Sequence, residues 1–162
     1  MKVLHVNTHM NIGGIGQYIL LLCKAVKTKG VDCVVASSGG DLEGELKRIG
    51  IAHKYLNIRT KFEFGPKVFK AALSLADTIK KERIDIVHAH SRVSQAASLL
   101  ASRRIGSHYV STCHGFFKPR LSRRIFDTWG EKVVAISGPV MAHLKNDFGV
   151  DPGRIELVHN GV

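Results

Sequence analysis

Short, unbroken apolar runs recur along this chain, separated by segments of helical period. "KVLHVN" at Lys2–Asn7, "DCVVAS" at Asp32–Ser37, "IDIVH" at Ile84–His88 and "KVVAI" at Lys132–Ile136 are such runs. A strand with one wet face alternates apolar and polar residues, whereas a strand covered on both faces reads as a continuous apolar run. Between the runs, apolar residues return every three or four positions, as Ile15, Ile19, Leu22, Cys23 and Val26 do. Strand, helix, strand in steady alternation predicts an α/β fold, a Rossmann-like, doubly wound and mainly parallel sheet with helices on both faces. The remaining strands fall at His53–Asn57, Tyr109–Thr112 and Ile155–Val158, about seven in all. The helices fall at Ile15–Lys29, Leu42–Ile49, Lys67–Glu82, Val93–Arg104 and from Ser137–Pro139 to Phe148. Gly30 stops the first, Pro66 starts the third, and Ser91 and Ser137 cap the last two. Lys118–Thr128 is irregular or helical.

With 162 residues the chain makes one domain, 1–162, and shows no internal repeat or linker. No apolar run is long enough to span a bilayer, and the first residues read as a strand rather than a signal peptide. Cys23, Cys33 and Cys113 lie far apart without CxxC spacing, which argues for a reduced, cytoplasmic protein. The chain carries 24 Lys+Arg against 13 Asp+Glu, net +11. That balance favours an anionic partner without saying which.

Ligands of an open parallel sheet bind at the carboxyl ends of its strands. The tips here read "NTHMNIGGIG", "SSGGD", "HAHS", "TCHG", "SGP" and "NGV". Three of these six tips carry histidine, which a purely structural sheet does not need. Gly13, Gly14 and Gly16 crowd the first strand-to-helix junction. Glycine there lets a ligand approach the backbone and the first N–H groups of the helix, where an anion is favoured. Phosphate is the natural guest. A tight turn alone would explain one or two of the three glycines. The dinucleotide fingerprint is broken, because its third glycine is missing and Ser37-Ser38 stand where its acidic residue belongs. No Walker GK[ST] is present.

His88 and His90 share a strand face, and with His114 they raise the question of a metal. No carboxylate or cysteine cluster joins them, so no metal is expected. One of the two is read as a hydrogen-bonded core residue and the other as facing the cleft. Cys113 and His114 point to opposite sides, which leaves His114 in the cleft and Cys113 in the packing. "FFKPRLSRRIFDTW", Phe116–Trp129, mixes Phe116 and Phe117 with Lys118, Arg120, Arg123 and Arg124. It suits an anionic membrane surface. A helix burying its apolar face suits it equally, and no motif supports nucleic acid.

Taken together, "GGIGQYILLLCKAVKTKG", "DIVHAHS", "STCHG", "VVAIS" and "RIELVHNGV" resemble, in order and spacing, the N-terminal domain of GT-B retaining glycosyltransferases of the family 4, or group 1, type. The resemblance covers the whole chain. It implies a fold that is one half of a two-domain enzyme, with acceptor bound here and a UDP- or GDP-linked sugar donor bound mainly by a C-terminal domain. By resemblance, Gly13 and Gly14, with Gly16, form the loop at the donor diphosphate and reaction centre. His114 contacts the transferred sugar and is needed for activity. His9, His90, Ser91 and Ser137 line the acceptor cleft, and Asn160-Gly161 mark the crossover to the second domain. The family uses neither a metal nor another cofactor for catalysis. The implied acceptor is a lipid-linked sugar, lipopolysaccharide or other glycan, with the protein docked peripherally on the inner face of the membrane. The donor half lies outside the 162 residues, so the chain alone is expected to be inactive and to have a face free for self-association. The alternative is a freestanding, non-catalytic module that binds a phosphorylated ligand.

Overall fold

Each apolar run becomes a strand whose two faces are both in use. The computed structural model describes residues 1–119 and 126–160. Its strands are β1 (Lys2–Val6), β2 (Asp32–Ser37), β3 (Ala52–Tyr55), β4 (Ile86–Ala89), β5 (His108–Cys113), β6 (Lys132–Ala135) and β7 (Ile155–Leu157). All pair in parallel, in the order β3-β2-β1-β4-β5-β6-β7. The helices are α1 (Gly14–Lys27), α2 (Glu43–Arg48), α3 (Pro66–Glu82), α4 (Arg92–Ile105) and α5 (Gly138–Phe148). A 3-10 turn at Pro152–Arg154 precedes β7.

Successive strand residues point to opposite faces. Leu4, Val6, Val34, Ala36, Val87 and Ala89 face α3 and α4, where Leu75, Ile79, Val93 and Ala97 complete one core. Val35 and Cys33 face the other way, against Ile19 and Cys23 of α1 and Leu46 of α2. A third cluster joins Val133 and Ala135 of β6 to Val140, Leu144 and Phe148 of α5, with Trp129 buried among them.

The predicted strand at Ile84–His88 starts two residues late. Arg83 adopts the left-handed conformation that ends α3, and Ile84 N–H donates back to Ile79 O at 3.0 Å. Ile84 therefore belongs to the helix stop, where an apolar contact commonly follows the left-handed residue. Asp85 then locks onto β1, giving its N–H to Lys2 O at 2.9 Å and taking the Lys2 N–H at 2.7 Å. Of the irregular or helical stretch expected at Lys118–Thr128, residues 120–125 lie outside the described residues. Among the described residues, no helix is long and apolar enough to cross a membrane.

Candidate functional site

The strand order reverses between β1 and β4, and the loops after these two strands diverge to form a crevice. The loop after β1 is zipped to the loop after β2. Ser38 N–H donates to Thr8 O at 3.1 Å, Met10 N–H to Gly39 O at 2.8 Å, and Leu42 N–H to Met10 O at 2.9 Å. This pins the start of α1.

The three glycines have different work. A Cβ on Gly16 would lie 2.5 Å from Asn11 O and 2.9 Å from Leu42 Cδ1. Gly16 is buried and exists for close packing, so the expectation that it meets the diphosphate is corrected. Gly13 and Gly14 are exposed, and a Cβ on either would meet nothing. Gly13 is the N-cap of α1, without a side-chain cap, and no acidic residue stands in the first turn. The first N–H groups of a helix lack partners inside it. Here those groups face an open entrance, at whose edge the Asp41 carboxylate accepts from Ile12 N–H at 3.3 Å.

Beneath this entrance lies a column of imidazoles. His5 of β1 is the register partner of His88 of β4, and His90 N–H donates to Val6 O at 3.0 Å. His5, His88 and His90 are all buried under α1. His5 Nδ1 lies 3.1 Å from His90 Nε2, and His90 Nδ1 lies 3.2 Å from His114 Nε2. At the inner end, His5 Nε2 lies 3.8 Å from Cys33 Sγ. His88 leaves the column and pairs with Thr112 Oγ1 at 2.7 Å. The Tyr18 ring stands edge-on to His114, 4.7 Å between centroids. His114 is partly exposed at the tip of β5, and its Nδ1 has no hydrogen-bond partner among the described residues.

Burial sets the charge states. Desolvation holds His114 down to about 4, and it lowers His88 and His90 well below the ordinary imidazole value, with the neighbouring histidines adding to it. These three imidazoles are therefore neutral at pH 7. The Cys23 thiol is pushed up, first by its hydrogen bond to Cys33 and then by burial, while the Cys33 thiol is drawn down by the same bond.

The expectation that one of the strand histidines is core and the other faces the cleft needs correcting. His88 and His90 are both buried, and His90 reaches the cleft only through His114. The nitrogens of His5, His88 and His90 approach within 4.8 Å, as do the ligand atoms of His5, Cys23 and Cys33. His5 and His90 already use both ring nitrogens in hydrogen bonds. Cys113 is buried and its thiol donates to Gly115 O, away from His114.

Ser91 shares a 2.7 Å hydrogen bond with Thr8, and its N–H donates to Ser94 Oγ, which closes the start of α4. Ser137 caps α5, its Oγ accepting from Val140 N–H at 3.4 Å. His9 lies beside the glycine loop, where its Nδ1 accepts from Asn11 N–H at 3.4 Å. Asn160 reaches a groove of about 670 Å3 that it shares with Gly14, Gln17, Tyr18 and Leu21. Gly161 lies outside the described residues.

The basic aromatic segment divides. Phe116 and Phe126 are exposed. Phe117 turns inward: its ring packs 6.1 Å from Trp129 and lies under the Arg92 guanidinium, and its N–H donates to His143. Phe117 is thus core support rather than patch. Lys118 is exposed, while Arg120, Arg123 and Arg124 lie outside the described residues. A second segment that sequence reading left as a plain loop joins the first. Phe64 stacks 5.0 Å from Phe126, and Phe62 and Phe69 stand exposed nearby in sequence with Lys61 and Lys67.

The profile of Glycosyltransferase Family 4 matches residues 12–162. The chain belongs to Glycosyltransferase Family 4. Its fold is the Rossmann-like half of a GT-B enzyme and superposes on a glycosyltransferase from Rickettsia africae ESF-5 with a TM-score of 0.86 and 29% identity, over 99% of this chain and 43% of that one. It is 36% identical over 92 residues to the capsular polysaccharide biosynthesis glycosyltransferase CapH of Staphylococcus aureus, a match covering 56% of this chain and 24% of CapH. It is 32% identical over 108 residues to a UDP-Gal:alpha-D-GlcNAc-diphosphoundecaprenol alpha-1,3-galactosyltransferase of Escherichia coli, covering 59% of this chain and 28% of that enzyme. The matched part is thus only about a quarter of each curated relative. Within the family fold, the residues that sequence reading missed are His5, Thr8, Tyr18 and Thr112. His5 sits inside "VLHVN", and only the β1–β4 register brings it to His90.

Proposed function

We propose that this Glycosyltransferase Family 4 chain is the acceptor-binding half of a retaining glycosyltransferase. A second Rossmann-like domain would hold most of the nucleotide-sugar donor and close over the crevice described above. The observation that carries this reading is the open α1 entrance at Gly13-Gly14 on the same helix whose Tyr18 stands 4.7 Å from the partly exposed, neutral His114 at the β5 tip. The α1 entrance accepts the donor diphosphate through backbone N–H groups. His114 offers an uncharged imidazole to the transferred sugar. In the transfer, the bond from the anomeric carbon to the diphosphate oxygen breaks. A bond to the acceptor hydroxyl oxygen forms on the same face, and the acceptor's proton passes to the departing phosphate oxygen. Ser91, Ser137 and His9 border the acceptor side. Asn160, beside Gly14, leads into the crossover.

The acceptor class we assign is a sugar on a polyprenyl diphosphate, the class named for the Escherichia coli relative. Its diphosphate suits a chain of net charge +11. Its lipid tail keeps it in a membrane, where exposed Phe62, Phe64, Phe116 and Phe126 with Lys61, Lys67 and Lys118 suit an anionic surface. The test is calorimetry of the purified chain against a short-chain polyprenyl diphosphate GlcNAc and against UDP-galactose, with a transfer assay on both together. Acceptor binding without turnover supports the reading. Turnover by the 162 residues alone, or tighter binding of UDP-galactose than of acceptor, overturns it.

A further inference from the structure

The column of imidazoles beneath the cleft has a direction. A neutral imidazole has one N–H donor and one bare acceptor nitrogen. When each imidazole in a chain uses both nitrogens, fixing the hydrogen on one fixes it on all. His5 and His90 use both, and His114 uses Nε2 and has no partner for Nδ1 among the described residues. The inner end decides which way the chain runs. Cys33 Sγ lies 3.8 Å from His5 Nε2, with the Cys23 sulfur in the same cluster within 4.8 Å. Sulfur is a weak acceptor, which favours Cys33 as the donor to His5 Nε2. His5 Nδ1 must then carry hydrogen and donate to His90 Nε2. His90 Nδ1 in turn donates to His114 Nε2. If the Cys33 hydrogen shifts onto His5 Nε2, His5 still donates from Nδ1 and the outer links do not change.

We propose that Cys33, His5 and His90 are positioning residues that hold His114 in its Nδ1–H tautomer, so that the cleft nitrogen is a hydrogen-bond donor. A donor at that point recognises a sugar hydroxyl oxygen or a phosphate oxygen and cannot serve as a base. This agrees with a transfer in which the leaving phosphate takes the proton. The meaning for catalysis rests on the role proposed above for His114; the tautomer itself does not. His88, buried beside the column, is tied to Thr112 and stands outside the chain of donors.

The experiment is long-range nitrogen–proton correlation NMR of the ring nitrogens in the 15N-labelled chain at pH 7.5, with His114 assigned from the spectrum of H114Q. His114 is expected as a single Nδ1–H form with Nε2 unprotonated. The wild-type spectrum decides without any variant: an Nε2–H form overturns the proposal. Two variants then test the transmission. C33S keeps a donor at the inner end and retains the Nδ1–H form. C33A removes the donor with a similar change in volume and shifts the tautomer ratio of His114 by about fivefold, as the loss of one ordinary hydrogen bond implies. A His114 signal identical in wild type, C33S and C33A overturns the relay. Because the readout is a spectrum of the unliganded chain, its failure is separable from a failure of the transferase reading, which would appear only in the binding and transfer assays.

Discussion

Acidification should destabilise this domain before its carboxylates are titrated. The sign follows from the buried imidazoles. His114, His88 and His90 are held below the usual histidine value in the folded chain, and an unfolded chain binds their protons near pH 6.5. Stability is therefore complete above pH 6.5 and falls as pH falls, until each folded value is reached; for His114 that is about 4. At pH 5.5 each such group costs about 1.4 kcal/mol, a figure set only by the unfolded value as long as the folded one lies well below 5.5. Three together cost about 4 kcal/mol, against about 5–15 kcal/mol for a whole domain. Glu82, held down to about 2 by Lys2 and Lys54, gains a proton on unfolding only once pH falls into the ordinary carboxylate range, so it does not contribute at pH 5.5. Urea unfolding followed by Trp129 fluorescence between pH 8 and pH 5 measures the slope. The H114Q chain should recover about a third of the loss at pH 5.5. A stability that stays flat from pH 8 to pH 5.5 would refute the claim that these imidazoles are buried and neutral.

Three further outcomes follow from the packing and the surface. G16A should destabilise the chain by about 1–3 kcal/mol through the clash with Asn11 O and Leu42, while G13A should leave stability within about 0.5 kcal/mol; thermal unfolding of the two decides it. Y109F removes the hydroxyl that donates to Thr128 O at 2.7 Å in a buried site, and should cost about 1–2 kcal/mol in urea titrations. Replacing Phe62 and Phe64 by serine and Lys61 by glutamate should weaken sedimentation with phosphatidylglycerol vesicles by at least about tenfold, since one basic charge near the surface is worth about 1 kcal/mol and each ring adds to it. Unchanged vesicle binding would move the membrane contact elsewhere.

Fold class was legible in the sequence because continuous apolar runs and helical periods are local signals, and the strands fell within a few residues of their predicted places. The entrance was legible in part. Three adjacent glycines announce a close approach, but sequence cannot tell an approach by ligand from one by Leu42, and Gly16 proved to be the second kind. The column beneath was not legible. Its members come from two strands and the tips of two others, and their distances depend on register, which no local pattern sets. The exposed aromatic surface failed for the same reason. Phe117 and Phe116 are neighbours with the same side chain, and only the position of Trp129 and α5 decides that one is packing and the other surface. Phe64 joined the surface because it meets Phe126 across the fold.

The acid sensitivity and the proposed tautomer are two consequences of one arrangement. Leucine at positions 5 and 90 would bury as readily and would never gain a proton. Imidazoles there bring polar atoms into the sheet face, and those atoms are tolerated only while every nitrogen has a partner. His5 and His90 meet that condition only if all their hydrogens point the same way along the column. Reversing one link sets two N–H groups, or two bare nitrogens, against each other in a site closed to water. Leaving such a group unsatisfied costs about 1–3 kcal/mol. The column therefore has few intermediate states, and the state of its inner end is transmitted to its outer end at full strength. The nitrogens of His90 and His114 are also what the unfolded chain protonates in acid. The domain is thus least tolerant of acid where it presents His114 to the crevice, and a more acid-stable core would leave that imidazole free to turn its bare nitrogen outward.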